Sequence, residues 1–227
     1  MRKLLEVIAT SIEDAIEAEA GGADRIELVR ELGVGGLTPA FDLTSAVLQA
    51  IHIPVRVMLR ENPTMSAGDE GEICRLTEAA RRFAQLPLDG MVAGFLQDGV
   101  VDELALRAVL EGAPQSRFTF HRAFDEVSEP LAAIEQLKAL RRIDRVLTVG
   151  GEGDWPERKA RLIEWQRAAS PEITLLIGAG LSNEVFSELA CLPDFAEIHV
   201  GRAARLENAI DRPVAAEAVQ KMRHLLA

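Results

Sequence analysis

Leu4-Leu-Glu-Val-Ile-Ala9 and Arg25-Ile-Glu-Leu-Val-Arg30 share one pattern, an apolar strand with a carboxylate set into alternate positions. Six further segments read as short apolar strands, several with charged residues at alternate positions: Pro54–Arg60, Gly90–Leu96, Arg117–Arg122, Arg145–Gly151, Thr174–Gly180 and Glu197–Ala204. In a strand every second side chain shares a face. One face then collects Glu6, Glu27, Arg56, Arg60, Thr119, His121, Glu197 and His199. The other collects Leu5, Val7, Ile26, Leu28, Val55, Val57, Phe118, Phe120, Ile198 and Val200. A buried face this charged is costly unless its charges pair or surround a ligand.

The strand starts lie 21 to 36 residues apart, about one βα unit each. Helical stretches with start signals fill the gaps. Ser11, Thr38 before Pro39, Asp69, Ser128, Asp154 and Ser182 are N-cap candidates, and Gly21-Gly22 is a helix stop. Strands alternating with helices point to a parallel sheet covered by helices. An open doubly wound sheet would bury both strand faces and read as unbroken apolar runs. The polar residues repeated along one face favour closure instead. The expected fold is α/β, a TIM (β/α)8 barrel with outer helices, formed by residues 1–227 as a single domain.

Hydrophobic residues make up 48% of the chain and mean hydropathy is +0.07, ample for a core and ordinary for a soluble protein. The opening Met1-Arg-Lys-Leu-Leu-Glu6 reaches a strand at once and is not read as a signal peptide. With no apolar run of spanning length, a cytoplasmic location is expected. A net charge of −11 argues against nucleic acid or an anionic membrane as partner. Cys74 and Cys191 form no metal-binding spacing, and each is read as a small buried group on a helix, without a disulfide.

In barrels of this kind the chemistry sits at the C-terminal strand ends. That rule selects Arg60, His121, Asp125 and His199, with Glu6 and Glu27 deeper on the same face. Arg60 suits either holding Glu6 or Glu27 ionised or clamping a substrate anion. His121 suits general acid–base work, oriented by a carboxylate such as Asp125. The alternative for this face is an internal salt-bridge layer. A second signal lies in the last two units, where Gly178-Ala-Gly180-Leu-Ser182 and Gly201-Arg202 follow strands 7 and 8. Glycine turns beside a helix N-terminus can present N–H groups to an anion, or be tight turns only. Loops Glu31–Leu37 and Glu61–Gly68 read first as plain flexible loops, and otherwise as candidates for cradling a ligand or closing over it.

Several of these stretches are similar to the CutC family, often called copper homeostasis proteins. They are Leu5-Glu6-Val7, Gly22-Ala-Asp-Arg-Ile-Glu-Leu28, Gly35-Gly-Leu-Thr-Pro39, Phe120-His-Arg-Ala-Phe-Asp125, Arg145-Val-Leu-Thr148, Gly178-Ala-Gly180 and Glu197-Ile-His199. The resemblance runs from about residue 4 to 204, and Phe120–Asp125 is its most specific part. It implies a TIM barrel, a cytoplasmic location and a homodimer or higher homo-oligomer. It also implies that Glu6, Glu27, Arg60, His121, Arg122, Asp125 and His199 line a shared pocket. Two departures bear on function. Many members carry cysteines near the ends of strands 1 and 2, where this chain has Ile8, Ala9 and Val29. Copper(I) prefers thiolate and thioether ligands. An Arg-Pro-Arg-Gly-Gly-like stretch after strand 3 becomes Arg60-Glu-Asn-Pro63.

Three functions stay open on the sequence. Copper enters by family name only, and its ligands would be His121 and His199 with carboxylates. An enzyme would apply acid–base chemistry to a small polar, phosphorylated or sugar-like substrate. The third is an assembly or regulatory protein whose pocket is vestigial. The expected partner is thus a small molecule or a metal ion.

Overall fold

Each apolar segment forms a strand, and most strands are shorter than their patterns. In the computed structural model, which describes residues 2–178 and 181–226, β1 spans Leu4–Ala9, β2 Arg25–Leu28, β3 Val55–Met58 and β4 Gly90–Ala93. β5 spans Phe118–Phe120, β6 Ile143–Thr148, β7 Thr174–Ile177 and β8 Glu197–Val200. All neighbours are parallel, in chain order, and β1 pairs with both β2 and β8 to close the barrel. The expected ends ran too far because apolar residues continue into the βα turns. Leu96 belongs instead to a small antiparallel hairpin, Leu96–Gln97 with Val100–Val101. His121 begins a 3-10 turn over Arg122–Glu126. β6 begins at Ile143, earlier than expected, because Asp144 interrupts the apolar run that marked it.

The outer helices are α1 Ile12–Ala20, α2 Phe41–Ala50, α3 Glu70–Phe83, α4 Glu103–Gly112, α5 Pro130–Ala139, α6 Trp155–Ala169, α7 Asn183–Cys191 and α8 Ala216–Leu225. Ser11, Asp69, Asp154 and Ser182 cap α1, α3, α6 and α7 as expected, and Gly21 is the C-cap of α1. Two cap expectations need correction. Ala40 rather than Thr38 precedes α2, because the Thr38 hydroxyl is spent on the Arg60 backbone, accepting from its N–H at 2.9 Å and donating to its carbonyl at 3.0 Å. Glu129 rather than Ser128 precedes α5, with Pro130 at the first helical position.

The outward strand residues Leu5, Val7, Ile26, Leu28, Val57, Phe118 and Phe120 are wholly buried beneath Leu76, Ala80, Leu106, Val109 and Leu162 of the helices. Cys74 and Cys191 are exposed, contrary to the sequence reading. The face of α3 that meets the barrel carries Leu76, Ala80 and Phe83 instead, and Cys191 is the last residue of α7. No described helix is long and apolar enough to cross a membrane.

Inside the barrel the phase expected from alternation holds. Glu6 has Arg25 and His199 as its cross-strand partners, and Glu27 has Arg56. The N-terminal half of the interior is an ionic ladder. Arg25 bonds Glu6 and, at 2.7 Å, Glu197; Arg145 bonds Glu197 and Asp144, each at 2.6 Å. Arg56 takes Asp144 through both terminal nitrogens at 2.8 Å, Asp89 at 2.7 Å and the Thr119 hydroxyl at 2.8 Å. A second buried ion pair ties the segment after β8 to the start of the chain. Asp14 of α1 accepts from Arg205 at 3.0 Å and from the Val214 N–H at 2.9 Å.

Removing one member of a buried pair strands the other charge, at a cost of roughly 3–5 kcal/mol. Arg25→Ala should therefore lower the urea midpoint far more than Arg107→Ala, whose partner Glu103 is surface-exposed. The ladder should also fail in acid. Burial alone would raise the Glu6 pKa, but Arg25 and then His199 outweigh it and hold it well below 4.5. Its stabilising contribution is complete above about pH 4.5 and is lost as pH falls through the depressed value. Equilibrium unfolding between pH 6 and pH 2 should show that loss blunted in Glu6→Gln.

Candidate active site

Above the ladder the barrel opens into a cavity of about 520 Å³ at the C-terminal strand ends, a size suited to a small organic ligand. Glu27, Arg60, His121, Arg122 and His199 line it, with Ile8, Met58 and Leu147. Ser182, Asn183, Gly201 and Arg202 line it from the last two loops, while Phe186 and Met222 supply an apolar wall from α7 and α8. Glu6 lies beneath, in the ladder, and Asp125 lies outside the lining. Gly178 abuts His199, where a Cβ would stand 3.2 Å from its ring. Gly180 lies outside the described residues.

His121 follows β5 and caps the 3-10 turn. Its Nδ1 accepts from the Ala123 N–H at 3.0 Å, which leaves the proton on Nε2. Burial, followed by the nearby Arg60 cation, lowers its pKa to about 3. The ring is therefore a neutral donor at physiological pH, and its buried Nε2 has no partner. The ring fits because residue 94 is glycine; a Cβ there would stand 2.8 Å from Nδ1. Asp125 does not orient it, as the sequence had suggested. That carboxylate accepts from the Thr148 hydroxyl at 2.6 Å, the Val149 N–H at 3.0 Å and Arg122 at 3.1 Å, pinning the turn after β5 to the end of β6.

Arg60 pairs with neither Glu6 nor Glu27, because Arg25 already neutralises Glu6. Its guanidinium bonds the Pro63 carbonyl at 2.5 Å and the Thr64 carbonyl at 3.2 Å, and reaches the Val34, Gly35 and Gly36 carbonyls at 3.4 Å. One cation thus holds both candidate loops at the mouth. Burial lowers its pKa from the ordinary arginine value, yet it stays charged.

Glu27 and His199 are the coupled pair. His199 Nδ1 bonds Glu6 at 2.8 Å, and its Nε2 lies 3.7 Å from Glu27. Burial favours the neutral ring, but Glu27 and Glu6 outweigh it and raise the His199 pKa. Burial raises Glu27 to about 7, with Glu6 adding to the rise while His199 and Arg25 oppose it. Glu27 Oε1 is buried without a partner. β2 and β5 stand three strands apart in the ring of eight, so Glu27 and His121 line one cavity from well-separated strands.

The profile of the CutC family matches residues 3–204. The chain belongs to the CutC family. A CutC family protein of Treponema denticola is 34% identical over 205 residues, covering 90% of this chain and 83% of that one. A human protein named copper homeostasis protein cutC homolog is 38% identical over 185 residues, 79% of this chain and 66% of its own. The crystal structure of a CutC from Streptococcus agalactiae superposes with a TM-score of 0.80 at 25% identity, covering 88% of this chain and 98% of the other.

Within this family frame, the sequence reading missed part of the charged interior. Arg25 shares the phase of Glu27 and was legible on that ground; Asp89 and Asp144 reach Arg56 from positions that alternation does not mark. Phe186 and Met222 reach the cavity from helices, so no strand pattern points to them.

NMR checks both protonation states directly. His121 should show a single Nε2–H signal, unchanged from pH 8 to pH 5, and the Glu27 carboxyl carbon should titrate near 7 rather than near 4.5.

Proposed function

We propose that the cavity is the active site of an acid–base enzyme acting on a small anionic substrate. The observation that carries this reading is the pair of buried polar atoms left without partners, Glu27 Oε1 and His121 Nε2, on one cavity. Buried polar groups are nearly always satisfied, and leaving one unpaired costs roughly 1–3 kcal/mol. A bound ligand that accepts from His121 and meets Glu27 removes both costs. Glu27, with its pKa near neutrality, can take and return a proton at physiological pH.

The substrate's anionic group is best placed at the last two loops. Ser182 caps α7 by accepting from the Val185 N–H, and Asn183, Gly201 and Arg202 face the same space. A helix N-terminus and a guanidinium together attract phosphate or carboxylate. In a chain of net charge −11, Arg202 supplies the local cation that an anion needs.

Copper handling, which the human relative's name suggests, is the second reading. The donors do not favour copper(I). Both cysteines are exposed on outer helices, neither lines the cavity, and no cluster of three His, Cys, Asp or Glu side chains suited to a metal occurs among the described residues. His121 and His199 remain as nitrogen donors, which suit copper(II) or zinc better.

Thermal shift separates the two. Millimolar inorganic phosphate should raise Tm by about 2–4 °C, the shift that roughly 1 kcal/mol of binding gives at this chain length, and Arg202→Ala should abolish it. No phosphate stabilisation would defeat the anion subsite. A stoichiometric, submicromolar copper(I) site lost on Cys74→Ser or Cys191→Ser would favour the copper reading instead.

A further inference from the structure

We infer that the reaction is proton transfer at a carbon atom beside a carbonyl group, on a small enolisable aldehyde, ketone or 2-oxo acid that carries an anionic group. The inference rests on the acid–base reading of the cavity and narrows it to one class of reaction.

The argument is one of elimination followed by fit. The described cavity lining holds no lysine and no cysteine, and the chain has no tyrosine, so Schiff-base and thiol chemistry have no nucleophile there. The Ser182 hydroxyl is engaged as a helix cap. Hydrolysis by paired acid and base requires a protonated group to meet the leaving atom. His121 is neutral and fixed by its own backbone, so it offers a hydrogen bond rather than a mobile proton. What remains is one carboxylate base, with the His199 ring held between it and Glu6, and, three strands away, one fixed neutral donor that faces the cavity without a partner.

That pair fits enolisation. The Glu27 carboxylate takes the proton from the carbon next to the carbonyl. The C–H electron pair becomes the new C=C bond, and the carbonyl π pair moves onto oxygen as an enolate. His121 Nε2–H donates to that oxygen, where negative charge develops. A neutral imidazole matches the weak acidity of an enol better than an imidazolium would. Once the proton on Glu27 has exchanged with solvent, its return to the same carbon gives hydrogen exchange. Where that carbon bears a hydroxyl, return to the former carbonyl carbon, with the hydroxyl proton passing to the former carbonyl oxygen, gives isomerisation. No oxidant, reductant or second substrate is needed. The apolar wall of Phe186 and Met222 accommodates the carbon skeleton.

The test is deuterium uptake from D2O, followed by 1H NMR, for dihydroxyacetone phosphate, hydroxypyruvate and phenylpyruvate, with thermal shift run on the same probes. Exchange above the enzyme-free rate for at least one probe is expected. Glu27→Gln should reduce it at least about 100-fold, and His121→Ala about 10- to 100-fold with partial recovery in His121→Gln. Glu27→Asp, which keeps the carboxylate, guards against a folding defect in the amide variant. Probes that stabilise the protein in an Arg202-dependent manner without any exchange would overturn the carbon-acid inference and leave the pocket reading standing. Neither stabilisation nor exchange would overturn both.

Discussion

Arg25 is the residue on which the interior depends. It sits at the first position of β2, wholly buried, and neutralises a carboxylate from β1 and another from β8. Those are the strands that must meet for the barrel to close. A guanidinium between two carboxylates has a fixed planar geometry. It therefore sets register across the seam as well as charge. The ladder continues through Arg145 and Arg56, so three guanidinium groups and five carboxylates (Glu6, Glu197, Asp144 and Asp89 among the bonded ones, with Glu27 left above) share the interior. Such a layer is not an economical way to gain stability, since well-packed apolar residues often do as well. What it gives this barrel is a rigid polar floor beneath the cavity.

The charged inner face first read from alternation thus divides at one level. Below it every carboxylate has its cation. Above it Glu27 has no guanidinium in contact and only the more distant His199 ring at 3.7 Å, because Arg25 is committed to Glu6 and Glu197, and Arg60 to the loop carbonyls. A salt-bridge layer and an open cavity are not alternatives for this face; they occupy different depths of one barrel. The unequal surroundings of Glu6 and Glu27 follow from this, one held well below the ordinary carboxylate range and the other raised toward neutrality.

Strand alternation made the barrel and its inward phase legible, because a one-residue slip would have put Leu5, Val7 and Ile26 inside. Glu27, Arg60, His121 and His199 followed from the same periodicity and the rule about strand ends. Partnership did not. Whether Arg60 meets Glu27 or a loop carbonyl depends on side-chain reach and loop path, and Asp125 turned toward Thr148 because a 3-10 turn intervenes after His121. The buried reading of Cys74 and Cys191 failed for a related reason. A helix in a barrel buries only one stripe, and residue type alone does not say which stripe a cysteine occupies.

His199 joins the two levels. One ring nitrogen bonds Glu6 at the top of the ladder, and the other lies 3.7 Å from Glu27 at the cavity floor. Burial opposes its charged form, but both carboxylates favour it and raise its pKa. When Glu27 takes a proton, His199 loses one of those two anions and leans more heavily on Glu6. Glu6 is anchored by Arg25. The ladder therefore sets the charges, Glu6 and Arg25 among them, against which Glu27 titrates. The proposed acid–base role asks for constant surroundings at Glu27, since a base would lose and regain a proton in each turnover, and the paired half of the interior lies directly beneath it.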